Sequence, residues 1–143
     1  MKRLVVSGLV AMLCVTNSIA QEVRKVESRD VSSKIRDEAV VSGYLADVNG
    51  KYKLRVTETT VGPGGYTGDH HHVGPGIRVV TSGELTFVQS DKTTIYKAGD
   101  AFYESGDVTH SGYNKGNVPL ILLNFELLPV DWKGGSVVPP KSK

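Results

Sequence analysis

The stretch GDHHHVGPG, Gly68 to Gly76, decides how this chain folds and what it holds. Three consecutive histidines are either a polar cluster on a glycine-rich loop or two ligands with a bystander between them. In a β-strand, residues i and i+2 point the same way. His70 and His72 then share the inner face of a strand, and His71 points outward. The chain has four histidines, and the fourth, His110, stands in a second short segment, KAGDAFYESGDVTHSGYN, Lys97 to Asn114. Brought alongside, His110 adds a third neutral imidazole, and three converging nitrogens bind a divalent metal while leaving positions open. Surface histidines on a loop are the weaker reading, because all four fall into two segments.

The surrounding sequence reads as strands. YKLRVTETTV (52–61) is rich in β-branched and aromatic residues and breaks at Gly62-Pro63-Gly64-Gly65. IRVVTSGELTFVQ gives two strands joined at Ser82-Gly83, with Gly83 in a hairpin turn. TTIYKAGDAFYE follows a turn at Ser90-Asp91-Lys92. PLILLNFELLPV is one long last strand on which Ile121, Leu123, Phe125 and Leu127 alternate as an apolar face. Short strands separated by Gly, Pro, Asn and Asp indicate an antiparallel sandwich or barrel in a single domain.

The beginning of the chain reads differently. Lys2 and Arg3 precede an apolar run from Leu4 to Val15 and a polar patch ending Ser18-Ile19-Ala20. That is the layout of a cleavable secretory signal over 1–20, too short to span a membrane. The expected mature chain starts at Gln21, is periplasmic or secreted, and has lost Cys14, the one cysteine, so no disulfide supports it. Without Lys2 and Arg3 the charge is balanced, 15 basic against 15 acidic residues. No basic footprint for nucleic acid or an anionic membrane is left. Residues 21–43 form an arm, either extended or carrying a short helix around Ser32 to Ala39. A barrel over 44–130 follows, then a loose Gly-, Pro- and Lys-rich tail over 131–143, from which Trp132 is expected to pack back onto the barrel.

The arrangement of glycines and histidines resembles the cupin superfamily. Its first motif is Gly, five residues, His-x-His, three or four residues, Glu, six residues, Gly; Gly64, His70, His72 and Gly83 fill it. Its second is Gly, five residues, Pro-x-Gly, two residues, His, three residues, Asn; Gly99, His110 and Asn114 fill that. The run HHHVGPGIRVVTSGEL is similar to that of small exported single-domain members, and the resemblance covers Tyr52 to Pro129. It implies an all-β, double-stranded β-helix (jelly-roll) barrel, with one divalent ion (Fe, Zn, Mn, Ni or Cu) on His70, His72 and His110. A homodimer, with exchange of the N-terminal arm, is an assembly it allows.

Two departures stand out. Where the family places its glutamate, spacing from Gly83 puts Gly76, and Ser105-Gly106-Asp107 replaces Pro-x-Gly. On that spacing, Gly76→Glu is expected to restore a ligand and tighten metal binding. Glu104, Tyr103 and Glu126 are the candidate catalytic groups, with surface exposure the leading reading for both glutamates. Asp69 should face away from His70. Tyr66, Arg78, Asn114 and Tyr113 are candidates for the pocket wall, Asn114 being nearly as well explained as a turn residue.

The functional expectation is a metal-dependent enzyme of dioxygenase type acting on a small anionic or chelating substrate. The alternatives are a non-catalytic metal or ligand binder and a non-redox isomerase, lyase or decarboxylase. A carboxylate within reach of the metal positions favours acid–base chemistry.

Overall fold

The computed structural model describes residues 25–43 and 45–140. The expected signal segment lies outside the described residues. Among the described residues the β-branched and aromatic runs form nine strands: β1 Ser28–Val40, β2 Tyr52–His72, β3 Gly76–Ser82, β4 Glu84–Gln89, β5 Lys92–Lys97, β6 Ala101–Glu104, β7 His110–Tyr113, β8 Leu120–Pro129 and β9 Val137–Val138. Among the described residues there is no helix. All strand pairings are antiparallel, in the order β5-β4-β7-β2-β8-β3-β6, with β1 and β9 added along β2. The sheet curls until β5 meets β3, giving the nearly closed jelly-roll barrel.

β2 is the hub. It pairs with β8 from Tyr52 to Val61 and with β7 from Tyr66 to His70. The expected break at Gly62–Gly65 is instead the corner at which one continuous strand changes partner. Gly64 sits at φ +72, and a Cβ on Gly65 would lie 2.8 Å from Val61 Cγ1 and from two carbonyl oxygens. Only glycine lets the backbone approach that closely.

Four other expectations change. The segment left open between arm and helix is β1, in register with β2 from Val40 opposite Lys53 to Ser28 opposite Thr67. Val31 and Ile35 suit a helix or a strand equally, and the free edge of β2 decides. Gly83 (φ +73) is not a hairpin turn, because β3 pairs with β6 and β8 while β4 pairs with β5 and β7. It is the corner where the chain crosses the barrel; the two-residue hairpin is Ser90-Asp91, between Gln89 and Lys92.

The phase of β8 is the opposite of the expected one. Leu120, Glu126 and Leu128 are buried, whereas Phe125 is exposed. The tail is not loose over 132–138. Its β9 pairs with His71 and His72, Lys53 Nζ donates to Trp132 O at 2.7 Å, and Arg55 Nη1 donates to Gly134 O at 2.6 Å.

The hydrophobic core is small: Val61, Val80, Leu85, Phe87 and Leu120, with Val31, Tyr96, Phe102 and Leu122 packed on it. Tyr96 and Phe102 stack at 4.0 Å, and Phe87 lies on His110 at 4.9 Å. The core thus forms one wall of the histidine site.

Candidate metal centre

Strand parity and one cross-strand pairing assemble the three imidazoles. His70 and His72 share a face of β2, and His70 stands opposite His110 of β7 in the register. One ring nitrogen from each of His70, His72 and His110 lies within 4.8 Å of the others, with ring centroids 4.2 to 5.2 Å apart. His71 is outside this cluster. It is not on the surface as expected, however: it is 7% exposed, is covered by β9 and has Nε2 2.7 Å from Thr109 Oγ1.

Backbone carbonyls orient two of the rings. His70 Nδ1–H donates to Gly68 O at 2.7 Å and His110 Nδ1–H to Val108 O at 2.9 Å. Each bond fixes the tautomer and leaves Nε2 as the lone-pair donor. His110 Nε2 is buried and makes no hydrogen bond, and a metal ion on the three nitrogens would satisfy it. Burial, reinforced by the neighbouring His110, holds the His70 imidazole down to about 3. Burial also holds His110 below its ordinary value. Both rings are therefore neutral at pH 7, the form that binds metal. The donor set and its orientation fit a divalent ion.

The carboxylates come from a row that crosses five strands. Glu38 on β1 faces Arg55 on β2, Arg55 faces Glu126 on β8, Glu126 faces Gly76 on β3, and Gly76 faces Glu104 on β6. Gly76 leaves a gap that the Arg78 guanidinium fills, with Nη1 2.5 Å from where a Cβ on Gly76 would stand. Arg78 Nε donates to Glu104 Oε2 at 2.7 Å, and Nη2 donates to Glu126 Oε1 at 3.1 Å. Arg78 and Glu126 are each 2% exposed, so each buried charge has the opposite charge beside it.

Both glutamates reach the histidines, and neither is on the surface as expected. Glu104 Oε2 lies 3.2 Å from His72 Nε2 and Oε1 lies 3.3 Å from His110 Nε2. Glu126 Oε1 lies 3.3 Å from His72 Nδ1. Burial works to raise the Glu126 carboxyl, but the bond from His72, with Arg78 and Ser136, keeps it below its ordinary value.

The other candidates lie elsewhere. Tyr103 is 64% exposed and lines, with Glu104 and His110, a second cavity of about 170 Å³. Tyr66 stacks on Tyr113 at 6.0 Å and donates its hydroxyl to Glu27. Asn114 is buried as a turn lock, donating to Val61 O and Val118 O and accepting from Gly116 N–H. Asp69 is exposed and accepts from Ser111 Oγ at 2.6 Å. Of the expected wall residues, Arg78 alone lines the main cavity.

That cavity holds about 560 Å³ and opens on the histidine cluster. Leu85, Phe87, Phe102 and Leu122 make an apolar side; Ser33, Thr57, Thr59 and Asn124 make a hydroxyl- and amide-bearing side. Arg55 and the tail residues Gly134 to Val137, which no motif had marked, also line it. A polar pair two apart on β8, Asn124 and Glu126, was the one local signal for that inner face.

The Cupin domain family matches residues 57–126. No curated protein matches the chain. Among solved structures, a cupin-like protein from Thermotoga maritima is 24% identical, with 73% of this chain and 77% of that one covered at TM-score 0.54. KdgF from Halomonas sp. is 15% identical (70% and 84% covered, TM-score 0.53), and the polyketide cyclase RemF from Streptomyces resistomycificus is 16% identical (80% and 84%, TM-score 0.53). At these identities the likeness is one of fold. With the jelly-roll barrel, the matched segment and the two histidine motifs in order, the chain belongs to the cupin superfamily as a single-domain member.

Proposed function

We propose that this protein is an exported, divalent-metal-dependent enzyme performing acid–base chemistry on a small oxygenated acid. The observation that carries this is the Glu104 carboxylate, held by Arg78 and facing the Nε2 atoms of both His72 and His110. His70, His72 and His110 would hold the ion; bound there, it supplies Lewis-acid polarisation of a substrate oxygen. Glu104 is placed to take a proton from a group bound beside those nitrogens. Arg78 keeps that carboxylate oriented, and the apolar wall restricts water.

This shifts weight from the oxygenase expected of a site without a carboxylate. RemF, a polyketide cyclase, supports the reading only as an enzyme on the same barrel. Export rests on the layout of residues 1–20, and intact mass of the native protein should start at Gln21. Pairing with a second copy rests on the outer sheet face, where exposed Tyr103, Ile77 and Phe125 line up with Val56 across four strands. A two-fold copy presents the same row in return.

The test begins with elemental analysis of protein without a histidine tag. About one divalent metal per chain is expected, lost in His72→Ala and His110→Ala and kept in His71→Ala. Metal-loaded protein should then catalyse deuterium exchange into small 2-oxo acids in D₂O, followed by NMR. Glu104→Gln should keep the metal and lose the exchange. Oxygen consumption by iron-loaded protein without exchange would replace this reading with the oxygenase, and bound metal with neither activity would leave a binder.

A further inference from the structure

His70 and His110 are braced by carbonyls two residues upstream in their own strands, at Gly68 and Val108. His72 has no such local support. Its Nδ1 meets Glu126 Oε1 at 3.3 Å and Ser136 Oγ at 3.4 Å, the latter 64 positions away in the chain. We propose that the C-terminal segment Trp132–Val138 is a built part of the metal centre, with Ser136 a positioning residue that holds His72 through Glu126. This rests on the three-histidine reading above and extends the site beyond residues 57–126, the span matched by the family.

The geometry converges on one atom. Glu126 Oε1 accepts from Ser136 Oγ–H at 2.5 Å and from Arg78 Nη2–H at 3.1 Å, and it lies 3.3 Å from His72 Nδ1. A glutamate is flexible about three torsions, and a carboxylate that orients a ligand must itself be oriented. Arg78 fixes it from β3, and Ser136 fixes it from the tail.

The tail is anchored strongly enough to do so. Val73 N–H donates to Ser136 O at 2.9 Å, and Val137 and Val138 pair with His72 and His71. Lys53 and Arg55, both buried, donate to the carbonyls of Trp132 and Gly134. Their charges are matched by Glu38 of β1, at 3.1 Å from Lys53 Nζ and 2.5 Å from Arg55 Nε. Cations two residues apart on one strand face, each spending a hydrogen bond on a tail carbonyl, hold this segment against the barrel. A continuous path therefore runs from β1 through Arg55 and the tail to Glu126 and His72.

Ser136→Ala and Ser136→Thr test this in the full chain. Zinc affinity is measured by calorimetry, and the imidazole signals of the metal-free protein by long-range ¹H–¹⁵N spectra. Ser136→Ala should weaken zinc about tenfold, at the lower end of what such outer-shell partners contribute. It should shift the His72 signals while those of His70 and His110 stay in place. Ser136→Thr, which keeps the hydroxyl, should restore both.

Wild-type zinc affinity with unmoved His72 signals in Ser136→Ala would overturn the role of Ser136 and leave the three-histidine site standing. Absence of zinc binding by the wild type would remove the site itself, and this inference with it. If Ser136→Ala does not fold, Glu126→Gln, of the same shape, should show the same loss, and an indifferent Glu126→Gln would overturn the inference.

Discussion

Gly76 shows how one small residue sets the chemistry of the site. Its missing side chain is what lets the Arg78 guanidinium lie between Glu104 and Glu126. A Cβ there would stand 2.5 Å from Phe125 O and 2.5 Å from Arg78 Nη1, the first of which is backbone and has little room to move. Gly76→Glu should therefore not tighten metal binding, contrary to what spacing alone suggests. Overpacking costs about 1–3 kcal/mol, and a displaced Arg78 takes the cation away from two buried carboxylates, worth about 3–5 kcal/mol more. Thermal melting should fall by many degrees with no gain in zinc affinity; tighter zinc with an unchanged melt would refute this placement of Arg78. Asn114→Ala separates a turn lock from a pocket residue. It should cost about 1–3 kcal/mol for the carbonyl and amide bonds lost, while metal stoichiometry stays at the wild-type value.

At the scale of the strand, some information is local and some is not. His70 and His72 were legible because a strand has a period of two, so the spacing alone put both rings on one face. The carboxylates were not legible, because Glu104 and Glu126 reach the site only through the registers of β6 and β8 on either side of β3. On β8 the apolar residues run on both faces, Leu120 and Leu122 inward and Ile121 and Leu123 outward, so hydrophobicity carries no phase. On β2 the pattern misleads outright: Leu54 is exposed, whereas Lys53 and Arg55 are buried. The interior there carries the cations that bind Glu38 and the tail carbonyls, and Leu54 lies on the outer face. A charge placed on that outer row should separate the two roles. Phe125→Asp should keep metal stoichiometry but shift sedimentation from dimer to monomer; a wild type that sediments as a monomer would remove the proposed pairing.

Among the described residues few apolar side chains are buried, and the interior is given largely to histidines and paired charges. Its stability must then follow the protonation and metal loading of the site. In the metal-free protein, burial holds His70 down to about 3 and His110 below its ordinary value. The unfolded chain, whose histidines titrate at the ordinary value, binds more protons as pH falls below about 6.5. Stability from these two rings is thus complete above about pH 7 and is lost as pH falls below about 6.5, for His70 down towards about 3 and for His110 in the same direction. Glu126, held below its ordinary value, adds loss in the same direction in the acid range. A divalent ion binding the neutral imidazoles adds about 2.7 kcal/mol when present at a hundred times its dissociation constant, and protons compete for the same nitrogens. Urea midpoints measured from pH 7.5 to 4, with chelator and with zinc, should show a metal-free curve that is flat above pH 7 and falls below 6.5. The zinc curve should lie above it at pH 7.5 and converge with it by pH 4. Coincident curves at pH 7.5 would mean that the three histidines hold no zinc, and a metal-free midpoint that rises on acidification would mean that His70 and His110 are not buried as neutral rings.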